Sequence, residues 1–214
     1  VLVLSFDWQD ALANMHSHLI SGLESKIAAV HIRNFQQMPE ALECLESPSL
    51  VSVLITDTGI TNREYAKVLH KLVAYVKKGG SVAFGGAFVC FIRPTDFSKF
   101  MKTTWGLNWE MGSYFRSQFS VNPSNDVVKK NPSLVKSYSM KCSHVAGIQP
   151  EMAVYHQTDE SYTQSNVFDS QKTSDISTGE APAVSVSLGK GRLSILGDVN
   201  QEDESTNTVL AMLG

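Results

Sequence analysis

Short apolar runs alternate with helix-patterned segments from Val1 to Phe84, and that alternation restricts the chain to few folds. Val1-Leu2-Val3-Leu4-Ser5-Phe6 is nearly all apolar, as a strand buried on both faces must be, and stops at Asp7. From Asp10 to about Lys26 the spacing is helical, with Leu12, Met15, Leu19, Ile20 and Leu23 on one side. Ala28 to Ile32 reads as a second strand, Pro39 to Leu45 as a short helix with proline in its first turn, and Val51 to Thr56 as a third strand ending at Asp57. Thr61-Asn62-Arg63-Glu64 matches a capping box, which predicts a helix start at Thr61. Tyr65, Val68, Leu69, Leu72, Val73 and Val76 then form a buried face, Lys77 and Lys78 suit the negative end of the helix dipole, and Gly79 ends the helix. Ser81 to Phe84 is a fourth strand. Strands alternating with helices imply a parallel sheet, right-handed crossovers and helices on both faces.

Between Trp105 and about Gly179 the alternation breaks down. The part up to Met140 is aromatic and strand-like, and residues 157–179 are rich in Ser, Thr, Asp and Gln, as exposed loops are. Val184 to Leu188 and Leu193 to Leu196 flank Gly189-Lys190-Gly191 as a hairpin, and a last helix follows from Asp203 to Leu213. The expected architecture is a single α/β domain over residues 1–214. It is a flavodoxin-like three-layer sandwich with a mostly parallel sheet, an aromatic insertion at about 105–180 and a C-terminal hairpin.

Composition excludes several functional classes. The 43% of hydrophobic residues suffices for a packed core, and a net charge of −3 without a basic run argues against a nucleic-acid partner. No apolar stretch approaches the roughly 20 residues of a membrane span. Cys44, Cys90 and Cys142 form neither a disulfide framework nor a metal-ligand spacing, which favours a reducing, cytoplasmic location. A leader removed before Val1 stays compatible with the sequence.

Two segments end in glycine or in acid and amide side chains: Gly79-Gly80-Ser81-Val82-Ala83-Phe84-Gly85-Gly86-Ala87-Phe88 and Leu196-Gly197-Asp198-Val199-Asn200-Gln201-Glu202. In an open α/β sheet such points lie at the carboxyl ends of strands, where ligands bind. A strand with a glycine-rich sharp turn, followed late in the chain by a hairpin leading into Gly-Asp-Val-Asn-Gln-Glu, resembles the class I glutamine amidotransferase-like fold. The branch it is most similar to is the ThuA-like one, with its uncharacterised fungal proteins. Catalytic members carry cysteine in G-x-C-x-G after a central strand and a late H-P-E. The histidine deprotonates the thiol and the acid orients the histidine. Against that pattern, the turn at Gly85-Gly86-Ala87-Phe88 has no Cys or Ser, and Asn200 stands where the histidine is expected. Only Glu202 keeps its role, so the resemblance implies a lost triad and no catalytic residue.

Other residues offer weaker leads. Cys90 follows the turn in an apolar stretch, where a thiol is inert. Gly79-Gly80-Ser81-Val82-Ala83 imitates a serine-hydrolase elbow, but Ser81 opens a strand instead of following one. His16 and His18 are two apart and cannot share a metal from one helix face. His31, His70, His144 and His156 read as structural. Asp7, Asp57 and Asp198 each follow a parallel strand; helix capping, a ligand pocket and a Mg²⁺ site all fit that placement. Arg93, Trp105, Trp109, Tyr114 and Arg116 suit an anionic or sugar-like ligand, or core packing plus an ion pair of arginine with Glu202 or Asp198.

The expected ligand-binding set is Asp7, Asp57, Gly85, Gly86, Arg93, Arg116, Asp198, Asn200 and Glu202, with no metal and no cofactor. The expected function is a non-catalytic binding or interaction module for a small molecule or a protein, homo-oligomers included. A hydrolase using an unrecognised site at the sheet's carboxyl edge is the alternative.

Overall fold

A computed structural model describes residues 1–7 and 10–214, with side chains described outside 10–16. The first half alternates as its patterning predicts. β1 (Leu2–Leu4), α1 (Asp10–Glu24), β2 (Val30–Ile32), α2 (Met38–Glu46), β3 (Ser52–Ile55), α3 (Ala66–Lys78) and β4 (Ser81–Phe84) follow in order. Leu2, Leu4, Val53, Ile55, Val82 and Phe84 point to one face and pack with Ala41, Val68, Leu72 and Val76 of α2 and α3. Val3, Leu54 and Ala83 point to the other face, against Leu19 and Leu23 of α1 and Val209 and Met212 of the last helix, α7 (Asp203–Leu213). The period of two along each strand thus feeds two cores, giving three layers.

The aromatic segment does not hang off this sheet as an insertion; it extends it. After α4 (Phe88–Phe91) and α5 (Pro94–Phe100) come β5 (Glu110–Val121), α6 (Asp126–Lys130), β6 (Ser137–Ala146), β7 (Ala153–His156), β8 (Glu180–Ala181), β9 (Ala183–Leu188) and β10 (Gly191–Leu196). The ten strands form one sheet in the order β2-β1-β3-β4-β10-β9-β7-β5-β6-β8. Pairings from β2 through β10 are parallel, in the flavodoxin-like order, and every pairing from β10 outward to β8 is antiparallel. The expectation of a mostly parallel sheet is therefore corrected: the sheet is mixed, with five antiparallel pairings against four parallel ones. The cause is the long β5–β6 ladder, which pairs locally and needs no crossover helix.

Gly197 makes the junction between the two halves feasible. Its amide donates to the Pro182 carbonyl (2.7 Å), and its carbonyl accepts from the Ser143 amide (3.0 Å). A Cβ there would lie 1.9 Å from the Ser143 carbonyl oxygen, so only glycine lets β10 leave the sheet at this point.

The capping box at Thr61 is also corrected. Two 3₁₀ turns, Thr58–Thr61 and Arg63–Tyr65, precede α3, and Thr61 Oγ1 donates to the Thr58 carbonyl (2.8 Å) instead of capping α3. The cap in this region is Asp57, whose Oδ1 accepts from the Gly59 amide (3.0 Å). Thr61→Ala is accordingly expected to cost about 0.5 kcal/mol or less in urea unfolding, below the ~1 kcal/mol of a true N-cap.

Candidate functional site

Asp7, Asp57, Gly85-Gly86 and Asp198 follow the carboxyl ends of β1, β3, β4 and β10, which lie side by side and run parallel, so all four reach one edge of the sheet. After β4 the Gly85 amide donates to the Ile55 carbonyl (2.9 Å) and the Ala87 amide to the Thr56 carbonyl (2.7 Å), and α4 begins at Phe88. Gly86 has φ 58, the left-handed value that side-chain-bearing residues adopt at a cost. Strand, sharp turn and a short helix follow one another here, the backbone order of a nucleophile elbow, with glycine at the left-handed position, and both glycines are buried. Cys90 sits one helical turn on, its thiol 3.8 Å from the Gly86 carbonyl. Burial, with the charge of Asp198 adding to it, pushes that thiol up to about 11. Ser81, the other elbow candidate, opens β4 and points to no helix start.

The acids at this edge are engaged by their own loops. Asp198 is buried and accepts from the amides of Asn200 (2.9 Å) and Glu202 (2.7 Å) and from the Ser205 hydroxyl. These bonds fix a turn in which Gln201 takes φ 56, and they lead directly into α7. Burial raises the Asp198 pKa although Ser205 and the two amides oppose it. Asp57 is buried as well, and burial pushes it up to about 6 against backbone amides of Asp7, Gly59 and Phe6. Asp7 accepts from Thr58 Oγ1 (2.9 Å) and more distantly from Asn62 Nδ2 (3.5 Å). Among the described residues no group of three His, Cys, Asp or Glu side chains is placed to share a metal ion.

The arginines go to different places. Arg116 on β5 is half-buried and pairs with Glu202 (2.5 Å) while donating to Ser139 Oγ (3.2 Å). Arg93 is exposed and pairs with Asp96 (3.2 Å), at the rim of a groove of about 470 Å³ that Thr58, Asn62 and Lys99 also line. Trp105 and Trp109 are core residues. Tyr114, by contrast, is exposed on β5, with the Lys141 ammonium 5.3 Å from its ring centroid. Of the nine expected site residues, Asp7, Asp57, Gly85, Gly86 and Asp198 follow neighbouring parallel strands, Arg116 and Asn200 line one groove, Arg93 lines another, and Glu202 pairs with Arg116.

The larger groove, about 1170 Å³, has β5 and β6 as its floor, Asn200 at the sheet edge and residues 163–171 as its far wall. That wall is tied down: Thr163 N donates to the Gln171 carbonyl (2.8 Å), Gln171 N to Thr163 Oγ1 (2.9 Å) and Gln164 N to the Arg116 carbonyl (2.8 Å). Sequence reasoning missed Lys141 and this wall, since a polar stretch gives no periodic signal and Lys141 meets Arg116 only through β5–β6 register.

A second cluster lies within β6. His144 is fully buried against Phe115 and Phe119; its Nδ1 bonds the Ser113 carbonyl (2.8 Å), and its Nε2 is 4.0 Å from Cys142 Sγ. Burial lowers the His144 pKa and raises that of Cys142 well above its usual value. Glu180 accepts from the Ser113 amide (2.9 Å) and from Ser177 Oγ, and these bonds lower its pKa despite burial. Both side chains are fully buried, the apolar surroundings in which a thiol is poorly reactive.

Superposition on solved structures places the fold. A ThuA-like protein from Bacteroides uniformis matches with a TM-score of 0.57 and 11% identity, over 99% of this chain and 87% of that one. The chain has a ThuA-like fold. Gan42B, a GH42 β-galactosidase, matches at a TM-score of 0.46 and 10% identity, with this chain spanning only 29% of that enzyme. No protein-family profile and no curated protein sequence matches the chain. The described helices include none long and apolar enough to cross a membrane.

Proposed function

We propose that this ThuA-like chain is a non-catalytic module that binds a small molecule at the carboxyl edge of its sheet. One observation carries the reading. The elbow after β4 keeps its strand–turn–helix geometry and its left-handed residue, but that residue is Gly86, which has no side chain to act as a nucleophile. The remaining triad positions have turned to structural work: Asn200 belongs to the turn held by Asp198, and Glu202 is occupied by Arg116. An edge of this kind still concentrates polar groups where strand ends meet helix N-termini, which favours ligand binding without chemistry.

The reading makes a chemical prediction. With the Cys90 pKa near 11, only about 10⁻⁴ of its thiol is thiolate at pH 7, so iodoacetamide is expected to label native Cys90 far more slowly than the unfolded chain. Peptide mapping after timed labelling measures this. Rapid stoichiometric labelling of Cys90 at neutral pH, or turnover of ester or amide substrates by the native protein, sinks the reading.

A further inference from the structure

We propose that the groove between β5–β6 and residues 163–171 binds a ring-bearing organic anion, with Lys141 holding the anionic group and Tyr114 and Phe168 holding the ring. The proposal rests on the binding-module reading above and assigns its ligand class.

Charge is the first argument. Two cationic side chains, Arg116 and Lys141, line the groove. Arg116 is already neutralised by Glu202 at 2.5 Å. Lys141 is not: among the described residues no carboxylate lies within 4.0 Å of its ammonium, which stands 5.3 Å from the Tyr114 ring centroid. In the free groove water solvates the ammonium, and a ligand that covers the groove displaces that water, a loss that an anionic group on the ligand offsets. The groove's own acid, Asp169, stands on the opposite wall beside Phe168.

Apolar exposure is the second argument. Val167 and Phe168 are 81% and 77% exposed and sit next to each other on the wall, and Tyr114, at 57%, faces the same space from the floor. The wall does not hold them out by accident of a loose chain: Ser165 Oγ accepts from the amides of both Val167 and Phe168 at 3.1 Å. Two large apolar side chains on a hydrogen-bonded loop next to an aromatic floor gain by covering a flat apolar ligand. A small inorganic anion would satisfy Lys141 and leave the three apolar groups wet. A neutral apolar ligand would cover them and strand the ammonium. A ring that carries a carboxylate, sulfonate or phosphate satisfies both.

The test uses 1-anilinonaphthalene-8-sulfonate as probe on the full chain. Saturable one-site binding is expected, with competition by 2-naphthoate at least ten-fold stronger than by 2-naphthalenemethanol. Lys141→Gln and Phe168→Ser should each weaken binding at least ten-fold, whereas Lys67→Gln, on the exposed face of α3, should not change it. Near-UV circular dichroism identical to the native protein's guards against probe binding to a loosened fold. If either Lys141→Gln or Phe168→Ser binds the probe like the native chain, or no saturable binding occurs, the groove assignment is overturned. Ester or amide turnover would instead overturn the non-catalytic reading, whatever the probe does.

Discussion

Leu72→Ala is expected to lower the unfolding free energy by about 2–5 kcal/mol, because a fully buried leucine leaves a cavity that its neighbours fill only in part. Leu72 sits mid-way along α3, between Val68 and Val76, and all three side chains press on the sheet face formed by Leu2, Leu4, Val53 and Ile55. No side chain caps its start, and its polar ties are an ion pair from Lys71 to Glu46 at the surface and a long hydrogen bond from the Tyr75 hydroxyl to the Leu50 carbonyl, so the apolar face carries the docking. Urea unfolding of the single variants Leu72→Ala and Thr61→Ala gives the check. A larger loss for Thr61→Ala than for Leu72→Ala would mean that α3 is not docked as described.

Stability is also expected to fall as the pH rises from about 4 to above 6, through Asp57. Its folded pKa, about 6, lies above the roughly 3.9 of an unfolded aspartate. In that window the native state therefore holds a proton that the unfolded chain has released, and raising the pH favours unfolding. The contribution is fully present below about pH 4 and is lost once the pH exceeds 6, a difference on the order of 3 kcal/mol. Asp57→Asn keeps an oxygen for the Gly59 amide and cannot ionise. It should raise the melting temperature at pH 7.5 and give a much smaller gain at pH 4.5. Equal destabilisation by Asp57→Asn at both pH values would show that the carboxylate, not the neutral acid, suits this site.

The parallel half was legible in the sequence because its signals are local. Continuous apolar runs marked β1 and β3, a three-four spacing marked α3, and Gly189 marked the turn between β9 and β10. The antiparallel half was not, because its order depends on pairings the sequence does not display: β9 meets β7, and β5 lies between β7 and β6. The same limit governs the site. That Asp7, Asp57, Gly86 and Asp198 could meet at one edge was readable from their places after strands, though the adjacency of those strands was not, and the pairing of Arg116 with Glu202 was one of the options their types allowed. That Arg116 and Arg93 line separate grooves was not readable, nor was the place of Lys141, since the large groove exists only through the pairing of β5 with β6 and the loop over them. Thr61 misled for a different reason: Ser, Thr, Asp and Asn all suit a cap, and local spacing cannot tell an α-helix start from a 3₁₀ turn.

The place of β10 at the centre of the sheet bears on how the chain comes to be folded. β4 finds its second neighbour only when residues 191–196 arrive, after residues 85–190 have been made. Until then a nascent chain carries a four-stranded parallel half whose open side exposes the backbone of Ser81–Phe84, an edge that invites pairing with any extended segment nearby. Closure of so distant a contact is slow. The antiparallel ladder, made of neighbours in sequence, is ready earlier and waits with β9 for the same strand. In order of synthesis the centre of the sheet is therefore completed late, by β10 and then by α7, which covers the face of β1, β3 and β4 formed by Val3, Leu54 and Ala83.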